Sequence, residues 1–241
     1  MRVGIVEVRM MDMVADIFSL QGKKVEIYWQ GDSSLKPVIL LNTFSEEGKE
    51  VFHLLQQKTR TSFSLAAISG LNWKEELSPW PCVPWKGAEK YKGRAQEYLA
   101  WLTDTLCPAM DARQGGKARE YWIAGYAMAG LFAIDALFHT SKFLRAASAS
   151  GSFWYPGFSD FVRKHDFCGH PQGIFFSLGR KEAKAGPPIL RTVATATQDV
   201  IFSCRENAPD VRIAFSWNQG NHFYHSSERM ADLLCQMLEF G

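Results

Sequence analysis

The sequence predicts an α/β fold, a mostly parallel central sheet with helices on both faces. Three observations lead there. Strand-like apolar runs alternate with segments of helical spacing along the chain, the pattern of successive β-α-β units. Two of those runs, PVILLNTF (37–44) and SFSLAAISG (62–70), are almost continuously apolar, as expected of strands buried on both faces. And WIAGYAMAGLFA (122–133) passes from β-branched and aromatic residues through Gly125 into good helix formers, a strand turning sharply into a helix.

In chain order, KKVEIYWQG (23–31) alternates and stops at a Gly-Asp turn, so it reads as a strand. Strands at 37–44 and 62–70 follow. Tyr98, Leu99, Leu102 and Leu106 fall at helical spacing within 93–112, with a break expected near Pro108. A strand at 120–126 and a helix at 128–139 come next. RAASASGSF (145–153) is a strand of small residues and GIFFSLGR (173–180) an apolar one. Residues 190–207 read as helix and VRIAFSWNQG (211–220) as strand. The last stretch, SSERMADLLCQMLEF, is an amphipathic helix expected to be capped by Ser226 or Ser227. Right-handed crossovers bring the strand C-termini to one edge, where sites form.

The chain of 241 residues is expected to form one domain, 1–241, with no large lid. Charged residues make up 22% and the net charge is +2 without a basic stripe, so neither nucleic acid nor membrane is expected as a partner. No signal peptide is read at the N-terminus, where Glu7, Arg9, Asp12 and Asp16 interrupt any apolar run. The five cysteines are widely spaced with no CxxC, which suits buried, reduced thiols and a cytoplasmic location. His53, His165, His170 and His225 show no metal-binding spacing and His139 suits a helix C-terminus, so neither metal nor other cofactor is expected.

The sharp turn at 125–130 has the form of a nucleophile elbow, Gly-x-Ser-x-Gly, with Ala127 where serine would stand. Gly125, Ala129 and Gly130 are small enough for the close helix-strand crossing such an elbow needs. NQGNHF (218–223) puts His222 on the last loop after a strand, and FFSLGRKEAK (175–184) puts Glu182 just beyond the preceding one. The order 127, 182, 222 is that of nucleophile, acid and base in the α/β-hydrolases. Asp199 is the alternative acid, and Glu182, beside Lys181 and Lys184, also reads as a solvated charge. An oxyanion hole would use the N–H of Met128 and one from the loop after 37–44, Thr43 or Phe44. Trp73, Trp80 and Trp85, in a long loop, and Trp154 and Tyr155, after 145–153, are candidates for aromatic pocket walls or for loop packing. Tyr126, beside the apex, is a further pocket candidate.

The chain resembles the esterase family of α/β-hydrolases that includes enterochelin esterase-like and esterase D-like enzymes. LLNTFSEEG, AAISGLNWKEELSPWP, YWIAGYAMAGLFAIDALFHTSKFLRAASASGSFWYPGF, FFSLGRKEAK and NQGNHF carry the resemblance. It implies an α/β-hydrolase fold and hydrolysis of a small or aromatic carboxylic ester through an acyl-enzyme, with position 127 as nucleophile, His222 as base and Glu182 as acid. Ala127 is the one departure that removes the chemistry. Three readings stay open: a serine esterase in which Ala127 replaces the nucleophile by an inactivating substitution, a natural pseudoenzyme that binds an ester or acyl ligand without turnover, and an interaction domain on a hydrolase scaffold. A small-molecule ester is the expected partner, and a homodimer the default assembly.

Overall fold

A computed structural model describes residues 14–31, 36–113, 120–184 and 186–240. The residues on which the signal-peptide expectation turned lie largely outside these. An eight-stranded sheet has the order β1-β2-β4-β3-β7-β8-β9-β10. The first two strands, β1 (Val14–Leu20) and β2 (Lys23–Gln30), form an antiparallel pair. β2 also pairs antiparallel with β4 (Phe63–Ser69), and from β4 onward every neighbouring pair is parallel. The central strand β3 (Val38–Asn42) and β4 are buried at every residue, which is why their sequences lack alternation.

Between β3 and β4 runs α1 (Glu47–Lys58), whose Val51, Phe52 and Leu55 are buried. Its Gly48 lies so close to β4 that a Cβ there would sit 2.2 Å from Ala67 Cβ. After β4 come α2 (Trp73–Glu76) and a small hairpin, β5 (Pro81–Cys82) with β6 (Tyr91–Lys92). The helix expected over 93–112 is α3 (Ala95–Trp101), a π-helical turn at 102–106 and α4 (Cys107–Arg113). The irregularity falls before Pro108 because proline offers no N–H to the preceding turn. The ladder widens there instead, and Cys107 N–H bonds Leu102 O.

β7 (Tyr121–Tyr126) runs directly into α5 (Ala127–Ala136), whose residues from Met128 on are all buried. β8 (Phe143–Ala149), α6 (Phe158–Lys164), β9 (Gly173–Gly179), α7 (Val193–Asn207), β10 (Arg212–Asn218) and α8 (Ser226–Leu238) complete the chain. One face of the sheet packs on α3 to α7, the other on α1 and α8. α8 is not capped by a serine side chain. His225 is its N-cap, in the left-handed region at φ 51°, and Ser227 Oγ turns instead to Glu50.

All five cysteines are unpaired, but only Cys107 and Cys204 are buried, and burial pushes both thiols up to about 12. Cys168 is exposed, contrary to the expectation of buried thiols, because it follows α6 in a surface loop. Among the described residues no helix is long and apolar enough to cross a membrane.

Candidate active site

The C-terminal ends of β3, β7, β8 and β9 share one edge of the sheet by their parallel register, and the expected chemistry collects there. At the end of β7, Tyr126 is extended and Ala127, the first residue of α5, stands at φ 52°. A residue with a Cβ held there costs about 1–2 kcal/mol. The crossing explains the flanking glycines. A Cβ on Gly125 would lie 2.4–2.5 Å from atoms of Ala129, and one on Gly130 2.7 Å from Ser148 Oγ. The geometry is that of a nucleophile elbow, presenting a methyl group.

His222 and Glu182 meet. Imidazole Nδ1 lies 2.9 Å from Glu182 Oε2. The carboxylate accepts from Nδ1–H, which leaves the Nε2 lone pair as a base. Glu182 is buried, and its Oε1 accepts from Ser150 Oγ at 2.7 Å, Gly179 N–H at 2.7 Å and Arg229 Nη1 at 3.1 Å. Burial alone would push this carboxyl up, but the hydrogen bonds from His222 and Ser150 prevail and hold it below the usual range. Asp199, the alternative acid, lines another cavity near Trp154 and Thr195.

Sequence reasoning missed the groups that hold this pair. Arg229, on α8, is 4% exposed. Its Nη1 also donates to Tyr126 OH at 3.0 Å and its Nη2 to the carbonyls of Gln219 and Asn221, on the loop that carries His222. Tyr126 OH in turn donates to His222 O at 2.6 Å. Ser150 adopts φ 50° at the end of β8. The legible signal was Arg229 itself, a cation on the apolar face of an amphipathic helix, beside Met230.

The oxyanion candidates separate. Among the described residues Met128 N–H, in the first turn of α5, has no backbone partner outside its helix. Thr43 N–H is committed to Ile68 O at 3.0 Å, so Thr43 is not free to serve. Phe44 N–H is engaged at 3.2 Å by Glu47 Oε2, which also accepts from Thr43 Oγ1 at 2.8 Å.

Two cavities flank His222 and Phe223. One, of about 150 Å³, is lined by Ala127, Tyr126, Phe44, Trp73 and Glu47. The other, about 380 Å³, is lined by Ser150, Ser152, Trp154, Lys181 and Glu182. Trp73 and Trp154 thus reach the site. Trp80 does not: its Nε1 donates to Pro156 O and its ring packs on Tyr155, Phe158 and Phe161. It pins the β5–β6 region to α6, satisfying its N–H in a half-buried setting. Trp85 packs against Trp154.

Searches of known proteins agree with this architecture. No family model matches the chain. An uncharacterised protein of Bacillus subtilis (strain 168), YbbA, is 22% identical over 204 residues, covering 83% of this chain and 78% of that protein. An IroE-like serine hydrolase from Shewanella oneidensis superposes with a TM-score of 0.74 at 14% identity, over 90% of this chain and 75% of the other. Siderophore hydrolase EstB from Aspergillus nidulans does so with 0.72 at 15% identity, over 92% and 93%. The chain has the α/β-hydrolase fold. In α/β-hydrolases a sharp strand-to-helix turn of this form carries the nucleophile. Among the described residues no domain-sized lid covers the edge.

Proposed function

We propose that this cleft binds a small or aromatic carboxylic ester with its carbonyl over Ala127, and that the chain is a serine-esterase scaffold lacking one oxygen atom. The observation that carries the reading is the His222–Glu182 pair, complete with its Arg229, Ser150 and Tyr126 supports, beside an elbow still held at φ 52°. With serine at 127, Oγ would attack the carbonyl while His222 Nε2 takes its proton. Met128 N–H would receive the developing oxyanion. His222 would then protonate the leaving alcohol, and a water activated the same way would release the acid. With alanine the first bond cannot form, and turnover should fall by on the order of 10⁶. Ester binding survives, since only the hydroxyl is missing. The serine hydrolase and siderophore hydrolases of like fold make the same chemistry the leading candidate.

One observation favours a second reading, in which the alanine is natural and the chain binds without turnover: Glu47 holds Phe44 N–H, a candidate oxyanion donor. The test is Ala127→Ser against the unsubstituted chain on p-nitrophenyl acetate and butyrate, with a fluorophosphonate label. Hydrolysis and labelling by the serine form alone support the esterase. A folded serine form inert to both overturns it in favour of the binding protein.

A further inference from the structure

Glu47 is unusual among the acidic residues of this edge. It is half-buried, it lines the smaller cavity beside Ala127, and its carboxylate is met by two neutral donors, Thr43 Oγ1 and Phe44 N–H. Among the described residues no lysine or arginine pairs with it, and none lines that cavity. Glu46, next to it, has Lys24 at 4.0 Å, while Glu50, one turn on, is met by a hydroxyl, Ser227 Oγ. The rest of the wall mixes apolar and aromatic residues with Thr43, His222, Ser226 and Ser227, and Phe44 stacks on Trp73 at 4.2 Å and 7°. Asn42 lines the same cavity at 1% exposure, and its Nδ2 finds no acceptor among the described residues. The cavity therefore presents a carboxylate, seated in the first turn of α1 where the helix N-terminus favours negative charge and paired with no lysine or arginine among the described residues, beside aromatic faces and the unpaired Asn42 Nδ2. Carboxylate and aromatic faces together favour a cation.

We propose that the cleft selects esters bearing an ammonium group a few bonds from the carbonyl, with Glu47 as the residue that sets this preference, and that it disfavours esters bearing a carboxylate. The ammonium pairs with the Glu47 carboxylate, and the ester carbonyl turns towards Met128 N–H and Asn42 Nδ2. The ester part of this inference rests on the function proposed above. The cation part rests on Glu47 and its neighbours alone.

Calorimetric titration of the chain with Ala127, which does not turn its ligand over, tests it. The probes are benzyl β-alaninate, the near-isosteric neutral benzyl butyrate, and benzyl hydrogen succinate, with benzylammonium and benzoate as fragments without an ester. The ammonium ester should bind about tenfold more tightly than the butyrate, a difference of about 1.4 kcal/mol, and the succinate more weakly than either. Glu47→Gln can still accept from Thr43 and Phe44, and should bring the ammonium-to-neutral ratio towards one. In the unsubstituted protein, raising salt to about 0.5 M should shrink the same ratio by screening, a readout that does not depend on the variant folding. Butyrate binding as well as β-alaninate overturns the inference and leaves the ester site standing. Glu47-dependent binding of benzylammonium with no ester bound at all overturns the ester site and leaves the cation preference. No binding by any probe overturns both.

Discussion

Replacing Arg229 with leucine should unfasten the site from beneath. The guanidinium is 4% exposed and donates to Glu182 Oε1, Tyr126 OH, Ser150 Oγ and two carbonyls of the His222 loop. Leucine fills part of the volume and supplies none of these donors. Ser150 and Gly179 still hold Glu182 Oε1, but the buried carboxylate loses its guanidinium partner. Breaking a buried pair from one side costs about 3–5 kcal/mol. For a chain of this size each kcal/mol lowers the melting temperature by roughly 2–4 °C, so the product is a fall of about 6–20 °C. Arg229→Lys should recover little, because a single ammonium cannot fork between Tyr126, Glu182 and the carbonyls of Gln219 and Asn221. Calorimetry measures the fall, and amide exchange over 219–224 should report the freed loop. A loss below about 1 kcal/mol, with exchange in that loop unchanged, would refute the claim that Arg229 organises the pair.

Further outcomes follow from the same geometry. With serine at 127, Glu182→Gln should lower kcat by on the order of 10⁴, as expected when the acid can no longer set the imidazole tautomer. It should also flatten the acid limb of stability: the carboxyl is held below its unfolded value, so its contribution is present above that value and lost as pH falls through the folded one. Thermal melts from pH 3 to 7 check the sign, and an unchanged acid limb would show that Glu182 is not what titrates. At the elbow, Gly125→Ala meets Ala129 at 2.4–2.5 Å and should destabilise by about 1–3 kcal/mol. Ala127→Gly relieves φ 52° and should gain up to about 1 kcal/mol once the looser unfolded chain is counted; equal melting temperatures for the two variants would contradict the strained elbow.

Much of the scaffold was legible because burial writes itself into composition. β3, β4 and β9 are buried at every residue and spell continuous apolar runs. β1 and α1 were not read. β1 is an edge strand, paired on one side only, with Ile17 exposed. α1 starts among glutamates and a glycine, and only the spacing of Val51, Phe52 and Leu55 betrays its buried face. His222 and Glu182 could be proposed from their positions after strands. Ser150 and Glu47 could not, since a lone serine or glutamate carries no local signal of what it will touch; Arg229 showed only as a cation on an apolar helix face, with its partners unstated. Trp80 shows the converse, a conspicuous residue that lines neither cavity of the site and whose N–H is consumed by Pro156 O.

The sequence by itself determined the layered α/β architecture, the elbow and the absence of an oxygen at its apex. These are local properties: periodicity, small residues at a crossing, and the identity of one side chain. Only the tertiary structure decided which acid meets His222, that Arg229 and Tyr126 fasten the loop beneath it, and that Thr43 N–H is spent in the sheet while Glu47 claims Phe44 N–H. Hydrogen bonds and buried charges join residues far apart in the chain, Arg229 and Tyr126 by 103 positions and Ser227 and Glu50 by 177. Their partners are set by where the parallel strands end in space, which no stretch of sequence states.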